Sequence, residues 1–151
     1  MMISLLPAIG SAQHIHIPTP NDNITEYSYV ENTVTRDHSI MGDCDYTQVW
    51  IITEPAVGKE SEFRQRKMNS LKKGGVSIDG FEKYAKSKLL YRFDCKNRRI
   101  SLISYVDYDE GGEVIRTYSW HEAAAAWDQI APESVGEDLF STICSLNKKK
   151  K

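Results

Sequence analysis

Alternation of apolar and polar residues is the strongest signal in this chain, and it predicts an antiparallel meander between Lys86 and Trp120. Leu89, Tyr91, Phe93 and Cys95 alternate with Leu90, Arg92 and Asp94. Ile100, Leu102, Ser104 and Val106 alternate with Ser101, Ile103 and Tyr105, and Val114, Arg116, Tyr118 and Trp120 with Ile115, Thr117 and Ser119. A period of two places each set on one face of a strand. The joining segments, Lys96-Asn97-Arg98-Arg99 and Asp109-Glu110-Gly111-Gly112, have the length and chemistry of tight turns. Several positions on both faces are apolar, so the middle strand should be covered on both sides. Upstream, Tyr27 to Asn32 alternates in the same way, and Thr47 to Thr53 gathers Val49, Trp50, Ile51 and Ile52, residues that favour strands. Between them, Ser39-Ile40-Met41 reads as a short strand turned by Met41-Gly42-Asp43.

Near the C-terminus the period changes. Val135, Leu139 and Ile143 fall at i, i+4 and i+8 with Phe140 and Cys144 beside them, one apolar stripe of a helix that packs against the sheet. Pro132 or Ser134 suits its start, and Glu133, Glu137 and Asp138 sit where the helix dipole favours acids. Ala123 to Trp127 is either a helical turn or a loop that places Trp127 in the core. Glu60 to Lys73 carries Arg64, Arg66, Lys67, Lys72 and Lys73 against two acids. It reads as a short helix ended by Gly74-Gly75, as a solvated mobile loop, or as a patch for an anionic partner. Its glycines lack the Gly-x-x-x-x-Gly-Lys-Ser/Thr spacing of a phosphate-binding loop. Residues 14–26, with two prolines among Asn, Asp and Thr, read as an extended leader, and Lys148 to Lys151 as a solvated tail.

Composition narrows the class. A chain of 151 residues suits one domain, and 40% hydrophobic residues with eight Tyr, four Phe and three Trp are too many for a disordered chain. A formal net charge of −2 lacks the basic footprint of a general nucleic-acid binder. No apolar run approaches the roughly 20 residues of a membrane-spanning helix. Met1 to Gln13 is a short apolar stretch with Gly10-Ser11-Ala12 before Gln13. It reads either as a truncated signal peptide, since no basic n-region precedes it, or as an ordinary N-terminus. His14 and His16 share a face of an extended segment but have no further ligands nearby, so no metal site is implied.

The order of several short motifs is more specific. Phe93-Asp94-Cys95, a basic turn, a β-rich run, Trp127-x-x-Ile130-x-Pro132-x-Ser134, then Leu139 and Ile143-Cys144 resemble the surface-adhesin protein E family of small bacterial envelope proteins. Its members show an Asp-Cys pair after a strand, a Trp-x-x-(Ile/Val)-x-Pro-x-Ser segment and a closing helix with the second cysteine. Ser39-Ile40 followed by Val49-Trp50 also looks like that family's second hairpin, so the resemblance covers roughly residues 27–145. It implies an α+β fold, an antiparallel sheet of about five to six strands with the C-terminal helix packed on it and tethered by a Cys95–Cys144 disulfide. The domain would span 27–146. The resemblance further implies an oxidising compartment, the periplasm or cell surface, and an exported non-enzymatic protein. Host matrix or cell-surface proteins or glycans would be its partners, with no cofactor, and a periplasmic structural or stress role is the alternative.

Two features depart from the family pattern. The lipid-anchored start is absent, and Cys44 is an additional cysteine between Asp43 and Asp45, whose charges disfavour a thiolate. Cys44 reads as a structural cysteine or as an intermolecular pairing partner. Enzyme chemistry would require Cys44 with His38, or His121 with Glu122 or Asp128, and neither carries a local signature. Asp107, Asp109 and Glu110 beside Gly111-Gly112 lack the later bidentate Glu of an EF-hand and read as an acidic turn. For binding, clustered positive charge points to Lys96, Arg98 and Arg99 in one turn and to Arg64, Arg66 and Lys67 in one segment.

Overall fold

A computed structural model of the protein describes residues 12–39, 42 and 44–149. Most of the signal-like stretch, the last two lysines, and Ile40, Met41 and Asp43 of the expected short strand and turn lie outside the described residues. The rest forms strands β1 (His14–Ile17), β2 (Thr25–Val30), β3 (Thr35–His38), β4 (Asp45–Pro55), β5 (Tyr84–Asp94), β6 (Arg99–Asp109), β7 (Val114–Ser119) and β8 (Asp128–Gln129), with helices α1 (Glu60–Lys73) and α2 (Val135–Lys149). The sheet order is β1-β2-β4-β5-β6-β7, with β3 beside β4 and β8 beside β6, and the strand pairs are antiparallel. The fold is α+β, as the resemblance implies. Its eight described strands exceed the expected five to six because β1, β3 and β8 are pieces of only four, four and two residues.

The expected meander is β5, β6 and β7. Phe93 stands opposite Ile100, Leu89 opposite Tyr105, and Tyr105 opposite Tyr118. Across β4 and β5, Val49 pairs with Tyr91 and Ile51 with Leu89, so the apolar sets of both strands share one face. That face holds the main core, where Val49, Ile51 and Phe93 meet Ile17 and Tyr29 from the sheet edge and Leu139, Phe140 and Ile143 from α2. The stripe read from the sequence is therefore the buried side of α2. Ser134 begins this helix: its Oγ accepts from the Glu137 backbone N–H at 3.2 Å, while Glu137 accepts from the Glu133 N–H at 2.8 Å. The Ser134 cap satisfies a first-turn donor and is worth about 1 kcal/mol.

The Cys95–Cys144 disulfide is present, with Cα atoms 5.7 Å apart and a sequence separation of 49. It ties α2 to the turn that follows β5. Closing a loop of that length restricts the unfolded chain by about 4 kcal/mol in the chain-entropy account.

Three expectations change in the structure. The segment read as a leader is part of the sheet at its start, since His14–Ile17 pairs with Tyr27–Val30 and Ile17 is fully buried. Thr25 and Glu26 at its end open β2, and residues 18–24 between are a loop joined to both helices: Asn21 hydrogen-bonds Asp138 at 3.1 Å, and Asp22 pairs with Arg66 at 2.8 Å. Glu60–Lys73 is a regular helix and not a solvated loop. It is held by a second cluster of Phe63, Phe81 and Tyr84, with the Phe63 and Tyr84 rings stacked 5.0 Å apart. Acids open it, lysines close it, and Gly75 at φ 71 ends it, with the Val76 N–H bonded to the Leu71 carbonyl. Finally, Ala123 to Trp127 opens on a 3₁₀ turn, Glu122–Ala124, and Trp127 beyond it lies not in the core but half-buried against the sheet face opposite the helices.

Because α2 covers the core through one stripe and one covalent bond, Cys144→Ser should lower unfolding stability by about 2–5 kcal/mol. Urea denaturation of the oxidised wild type and the variant measures this.

Candidate functional site

The structure does not bring the six candidate basic residues together. Lys96, Arg98 and Arg99 lie at the Asp94 end of β5, whereas Arg64, Arg66 and Lys67 lie on α1 near its Tyr84 end. Eleven extended residues separate those ends, a span of roughly 35 Å. Five of the six serve as counter-ions. Arg66 donates to Asp22 at 2.8 and 3.3 Å. Lys67 lies 3.2 Å from the buried Asp107, above the Tyr84 ring. Arg64 donates to the Tyr84 carbonyl and pairs with Glu110. Arg98 pairs with Glu137 at 3.1 Å and stacks on Phe140, and Arg99 holds the buried Asp94 at 2.7 Å. Lys96 is exposed on the rim of a groove of about 870 Å³ formed at the β3–β4 and β5–β6 ends.

A second set of charges escaped the sequence reading. On the sheet face away from the helices, Arg92 is only 2% exposed. Its guanidinium lies 4.9 Å from the Tyr46 ring and 5.2 Å from the Trp127 ring, and it meets Glu122 at 2.8 Å. Arg99 stacks on the same Trp127 at 4.9 Å. Trp127 thus closes this face over two arginines, each with its own carboxylate. Such stacking is available to the planar guanidinium and not to lysine. The one sequence signal was Arg92 standing among the apolar residues Leu89, Leu90, Tyr91 and Phe93 of β5.

The enzyme candidates are placed as follows. His38 Nδ1 contacts the Asp45 carboxylate, and Cys44 lines the same large groove. The His38 and Asp45 side chains are 77% and 82% exposed. Cys44 is half-buried and forms no disulfide. Glu122 is committed to Arg92, which removes it as an orienting group for His121. The acidic turn spends its carboxylates separately. Asp109 accepts from the Gly111 and Glu113 N–H groups, Glu110 meets Arg64, and Asp107 turns inward to Ser87 and Lys67.

Asp94 shows how these pairs link to pH. Burial alone would raise its carboxyl, but hydrogen bonds from Asn97 and Arg99 outweigh it and hold the group below the ordinary carboxylate range. A depressed folded value means that the carboxylate contributes stability above the unfolded value near 3.8, and that this is lost as pH falls through the folded value. Asp22 is lowered in the same sense by Arg66 and the Ile24 and Thr25 N–H groups, against its own burial. Stability should therefore decline below about pH 4. Asp94→Ala should cost about 3 kcal/mol at neutral pH, since it removes the buried carboxylate to which Asn97 and Arg99 donate, and should flatten the acid limb. Chemical denaturation of both proteins between pH 2 and pH 7 checks this.

Among the described residues no helix is long and apolar enough to cross a membrane. Searches of curated proteins and of solved structures returned no match. A family sequence pattern described as Surface-adhesin protein E matches residues 17–145. That span runs from the buried Ile17 of β1 through the sheet, both helices and the Cys95–Cys144 bond. The chain belongs to the Surface-adhesin protein E family.

Proposed function

We propose that the protein is an exported bacterial envelope protein of non-enzymatic type, an adhesin that binds host extracellular-matrix or other cell-surface macromolecules. The family match over residues 17–145 carries this reading. The disulfide supports export, because a bond of this kind persists in oxidising compartments and is rare in the cytosol. The His38–Asp45 pair stands open to water, where its electrostatic influence on a thiol is weak, which argues against a Cys44 enzyme. Of the proposed basic contact residues, Lys96 and Arg98 are the exposed members of their turn, while Arg99 acts first as the partner of Asp94. In the other group Arg66 is half-exposed beside Asp22, and Arg64 and Lys67 are the more covered.

Solid-phase binding of the oxidised chain to a panel of purified matrix proteins tests this reading. Saturable binding is expected, with Lys96→Ser plus Arg98→Ser weakening it about three- to tenfold, as for loss of two partly screened charges. Absence of binding to every member, with the protein recovered from the periplasm and shielded from surface labelling, would instead support a periplasmic structural role.

A further inference from the structure

Both helices pack on the same face of the sheet. α1 stacks at the Tyr84 end of β5 through Phe63, and α2 is fastened at the other end by the disulfide. Beside α2 on that face lies a groove of about 450 Å³ whose floor is Tyr27, Leu89, Tyr91 and Leu102, with Gly136 and Leu139 of α2 in its wall and Asp128 at the rim. That volume is within the range of small-ligand sites.

Three observations define what the groove suits. The Tyr27 and Tyr91 hydroxyls have no hydrogen-bond partner among the described residues, and burial pushes both phenols up, Tyr91 to about 12. Both are therefore neutral groups that can donate and accept. Next, the floor continues into an aromatic platform, because Leu89 stands opposite Tyr105 and Tyr105 opposite Tyr118. Trp120 meets the Tyr118 ring edge-on at 4.7 Å, and Tyr118 is 52% exposed. Third, Gly136 is a weak helix former inside the first turn of α2, yet backbone crowding does not require it. A Cβ there would meet only Ser134 Oγ, at an ordinary 3.5 Å. Its missing side chain keeps the groove open.

The lining also rules between ligand classes. No cation lines the groove, Asp128 places a carboxylate at its rim, and Arg66 and Lys67 nearby are bound to Asp22 and Asp107. An anionic ligand is disfavoured. An apolar peptide side chain would cover both phenols and leave them unpaired, which carries the full desolvation penalty. A sugar ring has apolar C–H faces and a fringe of hydroxyls, and so satisfies floor, phenols and carboxylate together.

We propose that this groove binds a neutral glycan, one ring resting on Leu89 and Leu102 with hydroxyls on Tyr27, Tyr91 and Asp128, and the next ring on the Tyr118–Trp120 platform. The proposal deepens the adhesin reading and rests on it for the location of the glycan on a cell surface. The test titrates the oxidised full chain with N-acetylglucosamine oligomers and lactose-based oligosaccharides, followed by saturation-transfer NMR and tryptophan fluorescence. The wild type should bind at least one series. Gly136→Leu and Trp120→Ala should each weaken it about tenfold or more, and Tyr91→Phe about fivefold. Gly136→Leu should keep or raise the melting temperature, because leucine favours the helix. Absence of binding by both series, equal binding by wild type and Gly136→Leu, or displacement of the sugars by heparin overturns the proposal. Failure of the adhesin reading alone looks different: the sugars bind, and matrix proteins do not.

Discussion

The Cys95–Cys144 bond is the constraint on which the rest of this molecule depends. It fixes where α2 lies on the sheet, and α2 in turn supplies Leu139, Phe140 and Ile143 to the core. Around the bond the last turns are tied further, since Asn147 donates to Cys95 Sγ and accepts from Arg36 at 2.6 Å. A small domain is stable by roughly 5–15 kcal/mol, so a cross-link worth about 4 kcal/mol decides whether the helix stays docked. By holding α2 on the sheet, the same bond sets the helix wall, Gly136 and Leu139, of the groove beside it. Redox environment, fold and the shape of the surface are thus one problem in this protein.

Charge is organised inward. Asp22, Asp94 and Asp107 are nearly or fully buried at the side chain, and each takes a cation from the basic residues that the sequence offers for binding. A buried carboxylate without a counter-ion would be strongly destabilising, so Arg66, Lys67 and Arg99 answer to the fold first. Arg92 follows the same rule on the opposite face, enclosed by Tyr46 and Trp127 and paired with Glu122. The groove beside α2 is lined differently, by two phenols, leucines and a glycine with no cation among them, and an aromatic platform lies beyond it. Recognition through ring faces and hydroxyls fits that surface better than recognition through net charge.

The legible parts of the fold were those with a long, clean period. β5, β6 and β7 announced themselves by alternation, and α2 by its stripe from Val135 to Ile143. α1 was ambiguous because Phe63 is its one buried residue, and the partly buried Met68 and Leu71 that pack beside it make too thin a stripe to stand out among the charges. β1 was missed because its alternation, His14-Ile15-His16-Ile17, lasts only four residues before two prolines, and it is the pairing of those four with Tyr27–Val30 that gives them a place. Site residues were less legible than the fold. Clustered charge singled out Arg64, Arg66 and Lys67, but the partner of Arg66 lies 44 residues away, and no local pattern encodes such a pair. Gly136 and the two phenols gave no signal at all, since their meaning arises only where α2 passes over the sheet. The cysteine pairing came from family resemblance, and spacing alone would have left it open.

The most direct test of this account is mass spectrometry of the non-reduced protein isolated from its own cells and alkylated before digestion. The account predicts one cross-linked pair of peptides containing Cys95 and Cys144, with Cys44 carrying the alkyl label. Three labelled cysteines, or Cys44 bridged to either of the other two, would contradict it.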